Sequence, residues 1–386
     1  MDELYTMTPM ETAWGYLVGS GGSLPAPTDR TVGARQALET VIRRALEHPP
    51  CGVAFSGGRD SSFVLAVAAH VARRDGLAEP VPITRVFPSV SESDEHEWQE
   101  AVVRHLGLGD WQRLMIDDEL DVIGPLAAPH LLAHGLVWPA TIASDLPIID
   151  VVKGGSVIDG EGGDEVLGIG THRIANVARL LRRPRPLRWR RVRPALVSLA
   201  PAGLRGHRER QRFENGPFTW LRPEALEALI TAVVRAERER PLSFAASVRT
   251  VPTRRTQVLG AHNRRLIASQ RGVDYSSPLL HPDVVHALAR DGGVLGSGDR
   301  TATLRALASD LLPDEVLSRT SKAVFTKCYM GHHTREFARQ WTGGGVDPQL
   351  VDPDELRRIW LSESPAAPTA ILLQSAWLAG HPEISS

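Results

Sequence analysis

The stretch Cys51-Gly52-Val53-Ala54-Phe55-Ser56-Gly57-Gly58-Arg59-Asp60-Ser61-Ser62 decides the fold. Its first five residues are small or apolar, as a short buried strand requires. Phe63 to Arg74 then places Val64, Leu65, Val67, Ala68 and Val71 at helical spacing. A glycine turn between a strand and a helix is suited to anions: glycines let backbone approach closely, and the helix start offers unpaired N–H groups. Ser61 and Ser62 can add hydroxyl donors or cap the helix. Asp60 would repel a bare phosphate, but not one bridged to it by Mg²⁺. An ordinary glycine turn with a polar cap is the plainer reading. The pattern is not G-x-x-x-x-G-K-[ST], which argues against a Walker-type NTPase.

Outward from this loop, strand and helix signals alternate. A helix is expected over 31–47, strands over 81–87 and 111–116, a helix over 94–106, helical segments over 122–135 and 142–153, and a buried strand over 156–159. Such alternation predicts an α/β fold with a parallel sheet. Beyond about residue 170 strand signals vanish and the chain reads as mostly helical. The expected organisation is an N-terminal arm (1–30), an α/β core (31–170) and a helical C-terminal part (171–386).

At 386 residues the chain can bury a core without disulfides or a structural metal. A net charge of −1 gives no global signal for nucleic acid. Cys51 and Cys328 read as two reduced thiols, which with an N-terminus lacking a signal-peptide run predicts a cytoplasmic protein with no membrane span. Of 44 basic residues only Lys153, Lys322 and Lys327 are lysines. Residues 179–212 hold twelve arginines against the single acid Glu209, a local charge of +11. That segment is either a solvated surface or a docking site for an anionic partner, an acidic peptide before RNA because Trp189 is its only aromatic.

A second cluster, Asp159-Gly160-Glu161-Gly162-Gly163-Asp164-Glu165, also follows an apolar strand. It could be a plain polar turn. At the C-terminal edge of the same sheet it would face the same crevice as the first loop. Asp164 or Asp60 could then hold Mg²⁺, and Glu161 could act as base or orienter.

Ser56 to Ser62 resembles the SGGxDS pyrophosphate loop, and Gly160 to Glu165 resembles GEGADE. Together they are similar to the synthetase domain of class B asparagine synthetases, whose relatives include β-lactam synthetase and lasso-peptide macrolactam cyclases. Asp94-Glu95, Ser277-Pro278-Leu279-Leu280-His281, and Leu311-Leu312-Pro313 through Arg319, Lys322 and Phe325 resemble further segments in the family's order. His281 stands where Asp is usual, Arg59 where an apolar residue is usual, and Arg319 precedes Lys322 by three residues rather than two.

The resemblance implies an adenine nucleotide α-hydrolase-like sheet with helices on both faces. It also implies an ATP- and Mg²⁺-dependent amide ligase in which a carboxylate attacks the α-phosphate and an amine captures the acyl-adenylate. Ser56, Gly57, Gly58, Ser61 and Ser62 would hold pyrophosphate, and Asp60 and Asp164 the Mg²⁺. Gly160 and the backbone at Val86 and Phe87 would contact the nucleotide. Glu161 would position or deprotonate the amine, and Lys322 would stabilise the tetrahedral intermediate. Lys153 and Lys327 have no such context and read as surface residues. The sequence shows no glutaminase domain ahead of the loop, so the expected reaction is amide synthesis on a small-molecule or peptide carboxylate, in specialised metabolism, with an amine from elsewhere. A peptide macrolactam cyclase is an alternative of the same chemistry. A tRNA-modifying enzyme and a non-catalytic subunit are alternatives of other classes.

Overall fold

A computed structural model of the chain describes residues 4–168, 172–182, 189–297, 299–321 and 325–381. Five strands form one parallel sheet: β1 (Cys51–Ala54), β2 (Val81–Val86), β3 (Gln112–Met115), β4 (Ser156–Ile158) and β5 (Asp274–Ser276), in the order β3-β2-β1-β4-β5. The chain builds outward from β1 through β2 to β3, then returns to place β4 on the other side of β1. The order therefore reverses between β1 and β4, and a crevice opens there at the carboxyl ends of the strands.

Side-chain alternation sends the two faces of the sheet to two cores. Val53 and Ile158 join a core built from helices Ala34–Leu46, Arg59–Asp75, His96–Leu106 and Pro282–Gly292. Ile83, Val157 and Tyr275 face Ile148, Ile149, Val152 and Ile267 from the other side. Both faces are thus covered by helices, as expected. Gly52 is the tight point of this packing, because a Cβ there would lie 2.7 Å from Ile83 Cδ1.

Helix Arg59–Asp75 is the axis of the first core. Ser61 through Ala69, with Val71 and Ala72, are all buried. The helix starts on Gly58 and stops at Gly76, whose φ of 66° takes the left-handed conformation that a Cβ disfavours. Because it is apolar nearly all round, its N-terminus is fixed relative to the sheet.

Two expectations need correction. Strand structure does not end near residue 170, since β5 pairs in register with β4 (Val157 opposite Tyr275). Nor does all of the expected N-terminal arm (1–30) lie at the surface. Helix Pro9–Trp14 is closed by a Thr8–Glu11 capping box. Trp14 donates to Ala225 O at 2.9 Å, and Glu11 pairs with Arg255 at 2.9 Å. It joins a third core with Trp220, Trp341 and Trp360. Cys51 and Cys328 are free and buried.

Candidate active site

The two glycine-rich loops meet at the reversal point. In the first, Gly57 has a φ of 83°, and a Cβ there would lie 2.8 Å from Gln99 Cγ. Two of the loop's three hydroxyls are paired: Ser56 N donates to Ser61 Oγ at 3.2 Å, Ser61 Oγ donates to Gly58 O at 3.1 Å, and the Ser56 and Ser61 Oγ atoms are 3.1 Å apart, whereas Ser62 Oγ is buried without a partner. Gln99 Nε2 donates to Ser56 O at 3.1 Å. The first-turn N–H groups of Arg59, Asp60 and Ser61 have no carbonyl partner within the helix and point out of its end.

Arg319 braces this loop from behind. Its guanidinium donates to Gly57 O at 2.9 Å, forms a buried ion pair with Glu95, and stacks on Trp98 at 4.8 Å. Glu95, from the segment after β2, and Arg319, far away in sequence, thus meet behind this loop. Asp94 caps from the side, accepting His96 N at 2.9 Å.

The second loop rests directly on the first. A Cβ on Gly160 would lie 2.7 Å from Ser61 N, and one on Gly163 would lie 2.1 Å from Asp60 Cγ. Gly162, at φ 84°, sits against Leu280, so the Pro278–Leu280 turn carries this loop from below. His281, at the position where Asp is usual, caps the following helix by accepting Asp283 N at 3.3 Å. Gly160 and Gly163 are therefore explained by approach to the first loop, and Gly162 by its positive φ and its contact with Leu280.

Behind the loops lies a buried polar network. Tyr275 OH donates to Asp159 Oδ2 at 2.9 Å, and Glu161 N donates to Asp159 Oδ1 at 3.0 Å. Burial pushes the Asp159 carboxyl up to about 6, against the pull of Arg264. Arg264 donates to Asp145 at 3.0 Å and stands 3.9 Å from Glu161 Oε2. Glu161 itself is 38% exposed, with Arg264 beside it. Burial, with Glu161 next, raises the Glu165 carboxyl.

Asp60 and Asp164 are brought together by a residue that the sequence reading missed. Arg300, the first residue of helix Arg300–Ala308, forms ion pairs with both carboxylates through separate nitrogens. Asp60 Oδ1 is buried with no protein partner. Burial raises the Asp60 carboxyl, and Arg300 opposes that rise. No group of three or more His, Cys, Asp or Glu side chains arranged for a metal occurs among the described residues. Two carboxylates that share one cation and leave an oxygen unpartnered do fit Mg²⁺, which takes few protein ligands and completes its shell with phosphate and water. The only hint of Arg300 in the sequence is an arginine beside an N-cap Asp299; nothing in spacing links it to residue 60.

At the end of β2, Phe87 is buried beside Phe325 and Tyr329, with ring centroids 6.1 and 6.2 Å away. These residues line a cavity of about 80 Å³ with Ser56, Arg85 and Gln99. Val86 is less available, because its carbonyl accepts Ile116 N at 2.9 Å. Arg59 donates to Thr301 at 3.2 Å. Lys322 lies outside the described residues. Lys153 stands 3.8 Å from Asp150 and Lys327 2.9 Å from Glu92, both at the surface.

In the Arg-rich segment, part of the charge is neutralised within the fold. Arg205 pairs with Glu237 at 3.2 Å, Arg210 with Glu227 at 2.6 Å and Arg212 with Glu209 at 3.3 Å. Trp189, Leu196, Leu199 and Leu204 are exposed there. Residues 183–188 lie outside the described residues. Among the described residues no helix is long and apolar enough to cross a membrane.

The sequence profile of the asparagine synthase family matches residues 33–378. No curated protein sequence matches the chain. Among solved structures, the NAD+ synthetase of Burkholderia pseudomallei is similar at 14% identity over 63% of this chain and 90% of that one, with a TM-score of 0.25.

Proposed function

The chain belongs to the asparagine synthase family, and from that premise we propose an AMP- and pyrophosphate-forming amide synthetase that works through an acyl-adenylate in specialised metabolism. At the coarser level it is an ATP-using, amide-forming synthetase. The observation that carries the finer reading is the seating of the 159–165 loop on the start of helix Arg59–Asp75, with Gly160 and Gly163 against Ser61 and Asp60. That contact puts carboxylates and an anion-binding helix start in one crevice.

In this reading the N–H groups opening helix Arg59–Asp75, with the Ser56, Ser61 and Ser62 hydroxyls, take the departing pyrophosphate. Asp60 and Asp164 would hold Mg²⁺, which when bound neutralises phosphate charge. The substrate carboxylate oxygen bonds to the α-phosphorus as the bond to pyrophosphate breaks. Glu161, held at its base by Asp159 and faced by Arg264, accepts a proton from the attacking amine. The amine nitrogen bonds to the acyl carbon and AMP leaves. Lys322 supplies a compact cation to the tetrahedral oxyanion.

The test is pyrophosphate and AMP release from ATP·Mg²⁺ with aspartate and ammonium, reading asparagine by mass spectrometry. Asparagine identifies those as substrates. Pyrophosphate without asparagine supports adenylation and assigns another amine. An enzyme that does not bind ATP·Mg²⁺ refutes the reading.

A second reading, a peptide carboxylate, is favoured by the exposed Trp189, Leu196, Leu199 and Leu204 within the arginine-rich surface. Apolar side chains amid cations suit an acidic peptide or an acidic partner protein. A peptide substrate would show a KM that rises steeply with salt, whereas a small carboxylate would not.

A further inference from the structure

Arg300 occupies the place where a divalent cation is expected. Its two terminal nitrogens each reach one carboxylate, Asp164 on one side and Asp60 on the other. Arg300 and Asp60 are each 15% exposed, and Asp164 is 48% exposed, so the pair with Asp60 is the enclosed one. The position of Arg300 is fixed by the helix it starts, where the Asp299 side chain accepts Ala302 N at 2.8 Å. Its fit is incomplete, however. Arg300 Nε and Asp60 Oδ1 are both buried without a partner. A guanidinium well matched to two carboxylates would leave neither idle.

The groups facing Asp60 are Arg300, Asp164 and, one residue away on the same helix, Arg59, which is anchored on Thr301 at 3.2 Å. Arg59 and Arg300 together offset the two acids, but only Arg300 bridges them. A divalent ion there would neutralise both acids and use the idle Asp60 oxygen, but it cannot share the position with the guanidinium at ordinary contact distances.

We propose that Arg300 is the resident counter-ion of the magnesium position, so that a divalent cation gains Asp60 and Asp164 only when nucleotide phosphates draw the guanidinium away. Metal and nucleotide then bind together, each weakly without the other, as linkage requires of two ligands that displace the same contact. The inference rests on the amide-synthetase reading of this site.

The experiment measures Mn²⁺ binding by electron paramagnetic resonance, with and without the non-cleavable analogue α,β-methylene-ATP. It compares the whole chain with Arg300→Gln and Arg300→Lys. Wild type is expected to bind Mn²⁺ weakly alone and much more tightly with the analogue. Arg300→Gln should bind Mn²⁺ alone about tenfold more tightly than wild type, with a smaller gain on adding the analogue. Arg300→Lys should fall between, because an ammonium is a point charge and cannot span both carboxylates as the planar fork does. Lysine also keeps a cation beside the two acids, which guards against a variant that fails to fold. A change of less than threefold in nucleotide-free Mn²⁺ affinity in both variants overturns the proposal. If wild type and variants alike fail to bind Mn²⁺ with the analogue, the amide-synthetase reading falls, and this inference with it.

Discussion

Replacing Arg319 with Met should show how the Ser56–Ser62 loop is held. The guanidinium makes three kinds of contact at once: the Glu95 ion pair, the hydrogen bond to Gly57 O, and the stack on Trp98. The two charged side chains are only 5% and 6% exposed, so solvent screens the pair little. Methionine fills similar volume but strands the Glu95 carboxylate. Breaking one side of a buried pair costs about 3–5 kcal/mol. Removing the stranded charge as well, in Arg319→Met with Glu95→Gln, should recover at least ~2 kcal/mol of that loss. Urea unfolding followed by both fluorescence and circular dichroism gives the stabilities and checks that one transition is being read. Nucleotide affinity should fall in both variants, because Gly57 O loses its donor in each. A single variant that costs less than ~1 kcal/mol, or a double variant no more stable than the single, would refute the bracing argument.

Gly163→Ala places a Cβ 2.1 Å from Asp60 Cγ and should abolish pyrophosphate release. Gly109→Ala, where a Cβ meets nothing within 4 Å, should match wild type in the same assay. Asp159 is raised from 3.8 to about 6 by burial, so the folded chain keeps a proton there that the unfolded chain has released. Stability from this group therefore falls as pH rises between those values, by up to about 3 kcal/mol, and stays reduced above them. Asp159→Asn should remove that slope from denaturation midpoints measured across pH, and an unchanged slope would count against it. Lys322→Ala should leave pyrophosphate–ATP exchange running while slowing amide formation by about 100-fold or more. Equal loss in both assays would move Lys322 to the adenylation step.

Much of this site could be read from local pattern. Strand β1, the glycine turn and helix Arg59–Asp75 follow from apolar spacing and turn chemistry alone. The four strands β1 to β4 end within a residue or so of where alternation places them. What escaped is what depends on distance in the chain. Strand β5 is three residues long, Asp274-Tyr275-Ser276, with polar ends, and only its pairing with β4 makes it a strand. Helix Pro9–Trp14 sits in a Gly- and Pro-rich stretch whose composition hides a capping box and an apolar face. Arg300 looks like any helix-start arginine until the fold sets it between two acids. Arg319 and Glu95 were recognisable as positions but not as partners, since nothing in either segment signals the other.

That late fifth strand bears on how the protein is made. β4 leaves the ribosome with one edge bare, and the chain must run from Ile158 to Asp274 before that edge is covered. Until then Asp159 lacks the Tyr275 hydroxyl, and Gly162 lacks Leu280 beneath it. Helix Arg300–Ala308 and the Arg319 brace emerge later still. A partly synthesised chain thus holds the first loop without its acidic counterpart in place, and the crevice closes only when the C-terminal half folds back onto the sheet. The two glycine loops in this way acquire their full set of contacts only in the finished molecule.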